Sequence, residues 1–250
     1  MIQGSLTGKV ALVTGAGRNI GRAIALELAR GGAAVVVNGR ADLHAVQAVA
    51  AEIEALGGRA LPVLADVSEP SAVADMIAAA TEAFGGIDIA VSNAGLRRQT
   101  PFQQMSLGEW REILSVALDG AFILARAVVP LMEARGGGSI IGLSGISTHI
   151  GTPNRAHVSA SKAGLEGLMR ALAVELAPLG IRCNCVSPGA IDTVRGAAAG
   201  ANPGMRLEGV PLGRKGHVEE IAAMVRMLAG PEGGYITGQT IHVNGGAFLT

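Results

Sequence analysis

Lys162 stands on the apolar stripe of a helical pattern. In "RAHVSASKAGLEGLMRAL" (155–172), Val158, Leu165, Leu168, Met169 and Leu172 recur near a helical period, and Lys162 falls four residues after Val158. A buried ammonium costs free energy unless it has a partner, so a cation on this stripe points to chemistry or ligand binding. Groups able to move a proton lie close by in sequence. Ser144, Ser147, Thr148 and His149 precede the helix, and His157 adjoins Val158. Imidazole titrates near neutrality, so His149 and His157 are candidate acids or bases and Ser144 a candidate hydroxyl partner. His157 also fits an exposed helix-start residue, because helix neighbours point about 100° apart. His149 fits an active site and a plain surface loop equally well.

The elements that must position these groups follow from hydropathy. Short β-branched runs at 9–17, 33–40, 60–68, 87–95, 139–145, 181–189 and 239–246 read as strands. Helical patterns fall at 19–32, 42–58, 71–86, 107–138, from 155 onward and near 217–229. Continuous apolar strands alternating with helices predict an α/β chain with a parallel sheet covered on both faces. No linker or repeat divides residues 1–250, which reads as one domain. The Gly- and Ala-rich stretch within 194–212 reads as a mobile loop beside a site.

Composition excludes several classes. Twenty basic and twenty acidic residues balance, which argues against nucleic acid or an anionic membrane as a partner. The N-terminus lacks the order of a secretory signal, and no uncharged apolar run approaches spanning length. Cys183 and Cys185 sit two apart in a strand pattern, share a face and read as small reduced core residues, so the expected location is cytoplasmic. No metal site is expected.

A second chemistry-bearing stretch, "VTGAGRNIGRAIA", follows the first strand and opens the first helix. Glycines there permit a tight turn and let phosphates approach backbone N–H groups at the positive helix end. With this turn in view, the chain resembles the short-chain dehydrogenase/reductase family from end to end. The resemblance implies a doubly wound, Rossmann-type fold. The family's Thr-Gly-x-x-x-Gly-x-Gly turn is matched by Thr14, Gly15, Asn19, Ile20 and Gly21, with Asn19 replacing the middle glycine. Asn tolerates left-handed angles, so the turn is expected to persist. Asp66-Val67 matches the adenine contact, and Asn93-Ala94-Gly95 the cofactor floor, with Ser92 replacing its first Asn. "SPGAIDT" matches the nicotinamide segment, which makes Pro188, Gly189, Ile191 and Thr193 expected contacts.

The same resemblance locates a catalytic Tyr, Ser, Asn and Lys. Lys162 is kept and is expected to bind the nicotinamide ribose. Val158 stands at the Tyr position, Gly145 at the Ser position thirteen residues earlier, and Ala117 at the Asn position in "ALDGAF". A shift by one residue would pair Ser144 with His157 at the same spacing, but "SASKAG" and "GSIIGLSG" fit the unshifted register. The only tyrosine is Tyr235. Gly39 falls where an NAD-selecting acid would stand, and Arg40 beside it with Arg18 in the turn favours the 2′-phosphate of NADP(H). The expected protein is an NADP(H)-binding oxidoreductase with a rebuilt proton relay and a small-molecule substrate. A lyase or isomerase on the same scaffold, or a silent nucleotide-binding subunit, stays open. Arg97, Arg98 and Gln99 fit a substrate mouth or a solvated loop. The resemblance also implies a homotetramer.

Overall fold

The computed structural model describes residues 5–194 and 209–250, so most of the loop expected at 194–212 lies outside the described residues. Seven strands, β1 (Val10–Val13), β2 (Ala34–Gly39), β3 (Ala60–Leu64), β4 (Ile89–Ser92), β5 (Gly138–Leu143), β6 (Ile181–Pro188) and β7 (Thr240–Val243), form one sheet in the order β3-β2-β1-β4-β5-β6-β7. Every neighbouring pair is parallel. The chain therefore winds outward from β1 in one direction and from β4 in the other. Ligands in such sheets bind at the carboxyl ends of the strands beside this switch.

Side chains along β1 alternate between two cores. Ala11 and Val13 face α1 (Asn19–Arg30), α2 (Leu43–Ala55) and α8 (Val218–Ala229), while Val10 and Leu12 face α3 (Pro70–Phe84), α5 (Gly120–Ala134) and α7 (Ala156–Glu175). Asp42 caps α2 by accepting from the Ala45 N–H at 3.0 Å. Pro70 opens α3, and Gly85 ends it at φ 82°. The expected doubly wound sheet with helices on both faces is the observed one. Cys183 and Cys185 are free, buried thiols whose pKa values burial pushes up to about 12.

The 107–138 region departs from a single helix. α4 (Leu107–Leu114) passes into a five-residue π-helical segment, Ser115–Asp119, before α5 begins at Gly120. A Cβ on Gly120 would sit 2.9 Å from Val67 Cγ2, so a bare glycine brings the helix close to the end of β3. Wide turns of this kind often mark functional sites, and this one carries Ala117. Among the described residues, the span Leu107–Ala134 also contains an 18-residue window apolar enough by composition to cross a bilayer, at a mean hydropathy of 1.8. The sequence reading expected no such span. Ile113, Ala117, Ala121, Leu124, Val128 and Met132 are buried in the chain, as in a core helix.

One buried charge fastens the amino end of the sheet. Asp88 accepts from the Val10 N–H at 2.8 Å, Lys9 Nζ at 3.2 Å, and Arg135 Nε and Nη2 at 3.0 and 2.9 Å. Burial works to raise its pKa, but Arg135, the Val10 amide and Lys9 together hold it below the ordinary value. A depressed pKa contributes stability above the unfolded value that is lost as pH falls through the folded one. Asp88→Ala is expected to cost about 1–3 kcal/mol at pH 7, because the Val10 N–H and Arg135 lose their buried acceptor while Arg135 and Lys9 still reach water. Urea unfolding checks this, and the cost should shrink below pH 4.

Candidate active site

The site forms at the carboxyl ends of β1 and β4. Thr14 Oγ1 accepts from the N–H groups of Asn93 and Ala94, both at 3.0 Å, and donates to Val91 O at 3.2 Å. Asn93 Nδ2 returns two bonds, to Thr14 O at 2.9 Å and Gly15 O at 3.0 Å. Asn38 braces the turn from β2, accepting from the Gly15 N–H at 3.4 Å. Gly15 lies at φ 61°, and a Cβ there would meet Ala94 Cα at 3.1 Å. A Cβ on Gly21 would lie 2.6 Å from Asn93 Nδ2 and closer still to Gly15 O. Ile20 is buried beneath the turn. Asn19 sits at φ 50°, the left-handed conformation its type was expected to tolerate. Its carboxamide does more, donating to Val194 O at 2.9 Å and accepting from the Val194 N–H at 3.0 Å. α1 opens without a side-chain cap and without an acid in its first turn, so an anion there meets only the positive helix end.

At the β2 end, a Cβ on Gly39 would lie 2.7 Å from Val46 Cγ1, so an acidic side chain has no room without moving Val46. Arg18 and Arg40 are exposed, and neither side chain hydrogen-bonds another described residue. Asp66 Oδ1 accepts from the Ser68 N–H at 3.0 Å and the Ser68 hydroxyl at 2.6 Å. Burial opposes its ionisation, yet Ser68 and the charge of Arg40 keep its pKa low. Val67 beside it is buried against Gly120. Gly189 packs on Asn244, where a Cβ would come within 2.6 Å of Cα, and its N–H donates to Val243 O at 3.0 Å. That packing fixes the Pro188–Gly189 corner and the direction in which Ile191 and Thr193 leave it.

Lys162 closes the other side. Its Nζ donates to Leu143 O at 2.5 Å and lies 3.5 Å from where a Gly95 Cβ would be; Ala117 Cβ is 4.0 Å from the same point. Burial, with the charge of Arg97 adding, lowers its pKa from 10.5 to about 8. Val158 is buried one turn earlier on α7. Gly145 borders open space, since a Cβ there would meet only Ser147 Oγ, at 4.0 Å. Arg98 is committed to a two-pronged pair with Glu112 of α4.

The structure brings Ser144 and His149 together through a residue that sequence reading missed. Glu166 is 5% exposed, and its Oε1 accepts from Ser144 Oγ at 2.5 Å and pairs with His149 Nε2 at 3.0 Å. His149 stacks on Phe248 at 5.0 Å and meets His242 edge-on at 4.6 Å. The signal was present: Glu166, four residues after Lys162, is a second charge on the same apolar stripe. His157 goes elsewhere. It is 0% exposed, not the exposed residue considered above, and its Nε2 faces Glu109 Oε1 of α4 at 3.2 Å. Its Nδ1 accepts from the Val158 N–H at 2.9 Å. Tyr235 is fully exposed. Among the described residues no group of His, Cys, Asp and Glu is arranged to hold a metal.

Residues 15–247 match a family model described as enoyl-(acyl carrier protein) reductase. The chain is 42% identical to a 3-oxoacyl-[acyl-carrier-protein] reductase of Synechocystis over 98% of this chain and 99% of that one. It is 40% identical to a protein of the same description from Staphylococcus epidermidis over 96% and 99%. Among solved structures, a short-chain type dehydrogenase/reductase from Mycobacterium marinum superposes with a TM-score of 0.92 at 40% identity, covering 98% and 97%. A dehydrogenase/reductase from Sinorhizobium meliloti gives 0.91 at 36% identity, covering 99% and 98%.

Proposed function

This chain belongs to the short-chain dehydrogenase/reductase family, and from that premise we propose that it is an NADP(H)-dependent reductase of thioester-activated acyl groups with an altered proton relay. The observation that carries the dinucleotide reading is the Gly15–Gly21 turn: a left-handed glycine at 15 and no room for a Cβ at 21, held by Asn93 and aimed at the start of α1. Reduced nicotinamide, when bound, supplies a hydride. The protein's own part is to seat the phosphates on the turn and the 2′-phosphate between Arg18 and Arg40. Asp66 and Val67 bound the adenine, Asn93, Ala94 and Gly95 form the floor, and Lys162 holds the ribose. Pro188, Gly189, Ile191 and Thr193 hold the nicotinamide amide.

The altered relay rests on Ala117, Gly145 and Val158, which carry no group able to give a proton. Acyl substrates are proposed because the relatives reduce 3-oxoacyl chains by their names and the matching family model is described as an enoyl reductase. A conjugated enoyl group suits this site, since its carbanion is delocalised into the thioester. His157 leaves the catalytic set, its ring being spent on Glu109 and Val158. Ser144 and His149 are assigned to shaping the 144–150 wall through Glu166. A small molecule or carrier-bound acyl chain is the substrate, in a cytoplasmic homotetramer. Leu107 and Phe122, 61% and 51% exposed on the outer side of α4 and α5, suit a helix surface covered by another copy.

Titration with NADPH and NADH tests the core of this reading. NADPH is expected to bind at least about tenfold tighter, a difference of about 1.4 kcal/mol. Arg40→Ala should erase most of that preference without weakening NADH. Binding of neither nucleotide would overturn this reading and leave a non-redox enzyme on the same scaffold. A panel of 3-oxoacyl and 2-enoyl thioesters then separates the two acyl chemistries.

A further inference from the structure

Valine, glycine and alanine stand at the three relay positions, and among the described residues Lys162 is an ionisable group beside them, its Nζ 3.5 Å from the Gly95 Cβ position that Ala117 Cβ also borders. We propose that Lys162 is the proton donor of the reduction, handing a proton from its ammonium to the anion formed when hydride arrives; this rests on the dinucleotide reading above. Its role then extends beyond holding a ribose.

Geometry singles out the amine. One N–H is fixed to Leu143 O at 2.5 Å, which aims Nζ and leaves two further N–H bonds for ligand. The positions around it are bare: Gly95 has no side chain, Ala117 ends in a methyl 4.0 Å from the Gly95 Cβ position, and Gly145 leaves room for a substrate. The neighbouring hydroxyl and imidazoles turn toward carboxylates. Ser144 and His149 are bonded to Glu166, and His157 to Glu109. Arg97 does not give up a proton near neutrality. The charged and titratable groups facing Lys162 are Arg97, from the loop after β4, and Cys185, from β6; Glu166, one turn along α7, bears on Cys185 in turn. Burial and Arg97 weaken the hold of Nζ on its proton, bringing its pKa to about 8, near the value that suits an acid working at neutral pH.

The step balances. Hydride from a reduced nicotinamide adds to the acceptor carbon, and the displaced π electron pair settles on oxygen or on the carbon next to the thioester. That atom bonds to a proton from Nζ as the N–H bond breaks. The neutral amine is then recharged from water.

Two measurements decide it. The first is an NMR titration of protein carrying 13C-dimethylated lysines, with Lys162 assigned through Lys162→Arg. A Lys162 midpoint near 8 is expected; one near 10 overturns the proposal whatever the activity. The second compares wild type and Lys162→Arg, which keeps a cation that does not titrate. The variant should bind NADPH within about tenfold of wild type yet lose on the order of 100-fold in kcat. Wild-type kcat should fall as pH rises through about 8. A variant that binds NADPH and turns over with an unchanged pH profile overturns the proposal. Loss of NADPH binding by wild type overturns the dinucleotide reading, and the proposal with it.

Discussion

Gly21→Ala is expected to abolish dinucleotide binding and to lower stability by about 2–3 kcal/mol, the upper part of the overpacking range. The added methyl would lie 2.6 Å from Asn93 Nδ2 and 3.0 Å from Ala16 Cα, with Gly15 O nearer still. None of these atoms can yield cheaply. Asn93 Nδ2 is held by two backbone carbonyls, and those carbonyls belong to the turn itself. Relieving the clash means lifting the turn off β4, which moves the N–H groups that phosphates need. NADPH fluorescence titration and a urea midpoint measure the two effects. Undiminished NADPH affinity in a folded variant would remove this turn as the phosphate seat.

The second large effect is a gain. Gly145→Ser with Val158→Tyr is expected to raise NADPH-dependent reduction of a simple 3-oxoacyl thioester by about 100-fold or more, the contribution of a well-placed acid. The serine is sterically reasonable. A Cβ at residue 145 meets only Ser147 Oγ at 4.0 Å, and the backbone there is not left-handed. A tyrosine at 158 would share its helix face with Lys162, one turn away. The comparison needs each single variant, since the two groups act on one oxygen and should be far from additive. A folded double variant that binds NADPH with no gain, and gains nothing when Ala117→Asn is added, would mean that residues 145 and 158 are not the donor positions. Adding Ala117→Asn to that variant separates a missing relay from a wrong register.

The fold was legible because each element carries its own signal. Parallel strands buried on both faces read as continuous apolar runs, and the glycines and Pro70 that bound the helices sit where the chain turns. The left-handed Asn19 and the missing acid at Gly39 were equally visible, because each is a local backbone or charge requirement. What was hidden depends on tertiary contact. The π-helical segment at Ser115–Asp119 has no propensity signature; it goes with the close approach of Gly120 to Val67. The short helix α6 (Ser147–Ile150) lay inside what read as a loop. His157 could be read as exposed or functional, but its fate was set by Glu109, 48 residues away. Glu166 shows the opposite failing. The stripe that made Lys162 conspicuous flagged it too, and a second charge on a buried face should have prompted a search for partners.

The carboxamide of Asn19 reaches across 175 residues of sequence to hold both polar atoms of the Val194 backbone. A glycine at residue 19 would make the same turn but would leave Val194 without those two bonds. The phosphate turn and the chain leaving β6 are therefore joined as one lever. A displacement of the one is therefore resisted by the other, so a substitution at residue 19 that keeps the turn would still loosen the chain that leaves β6.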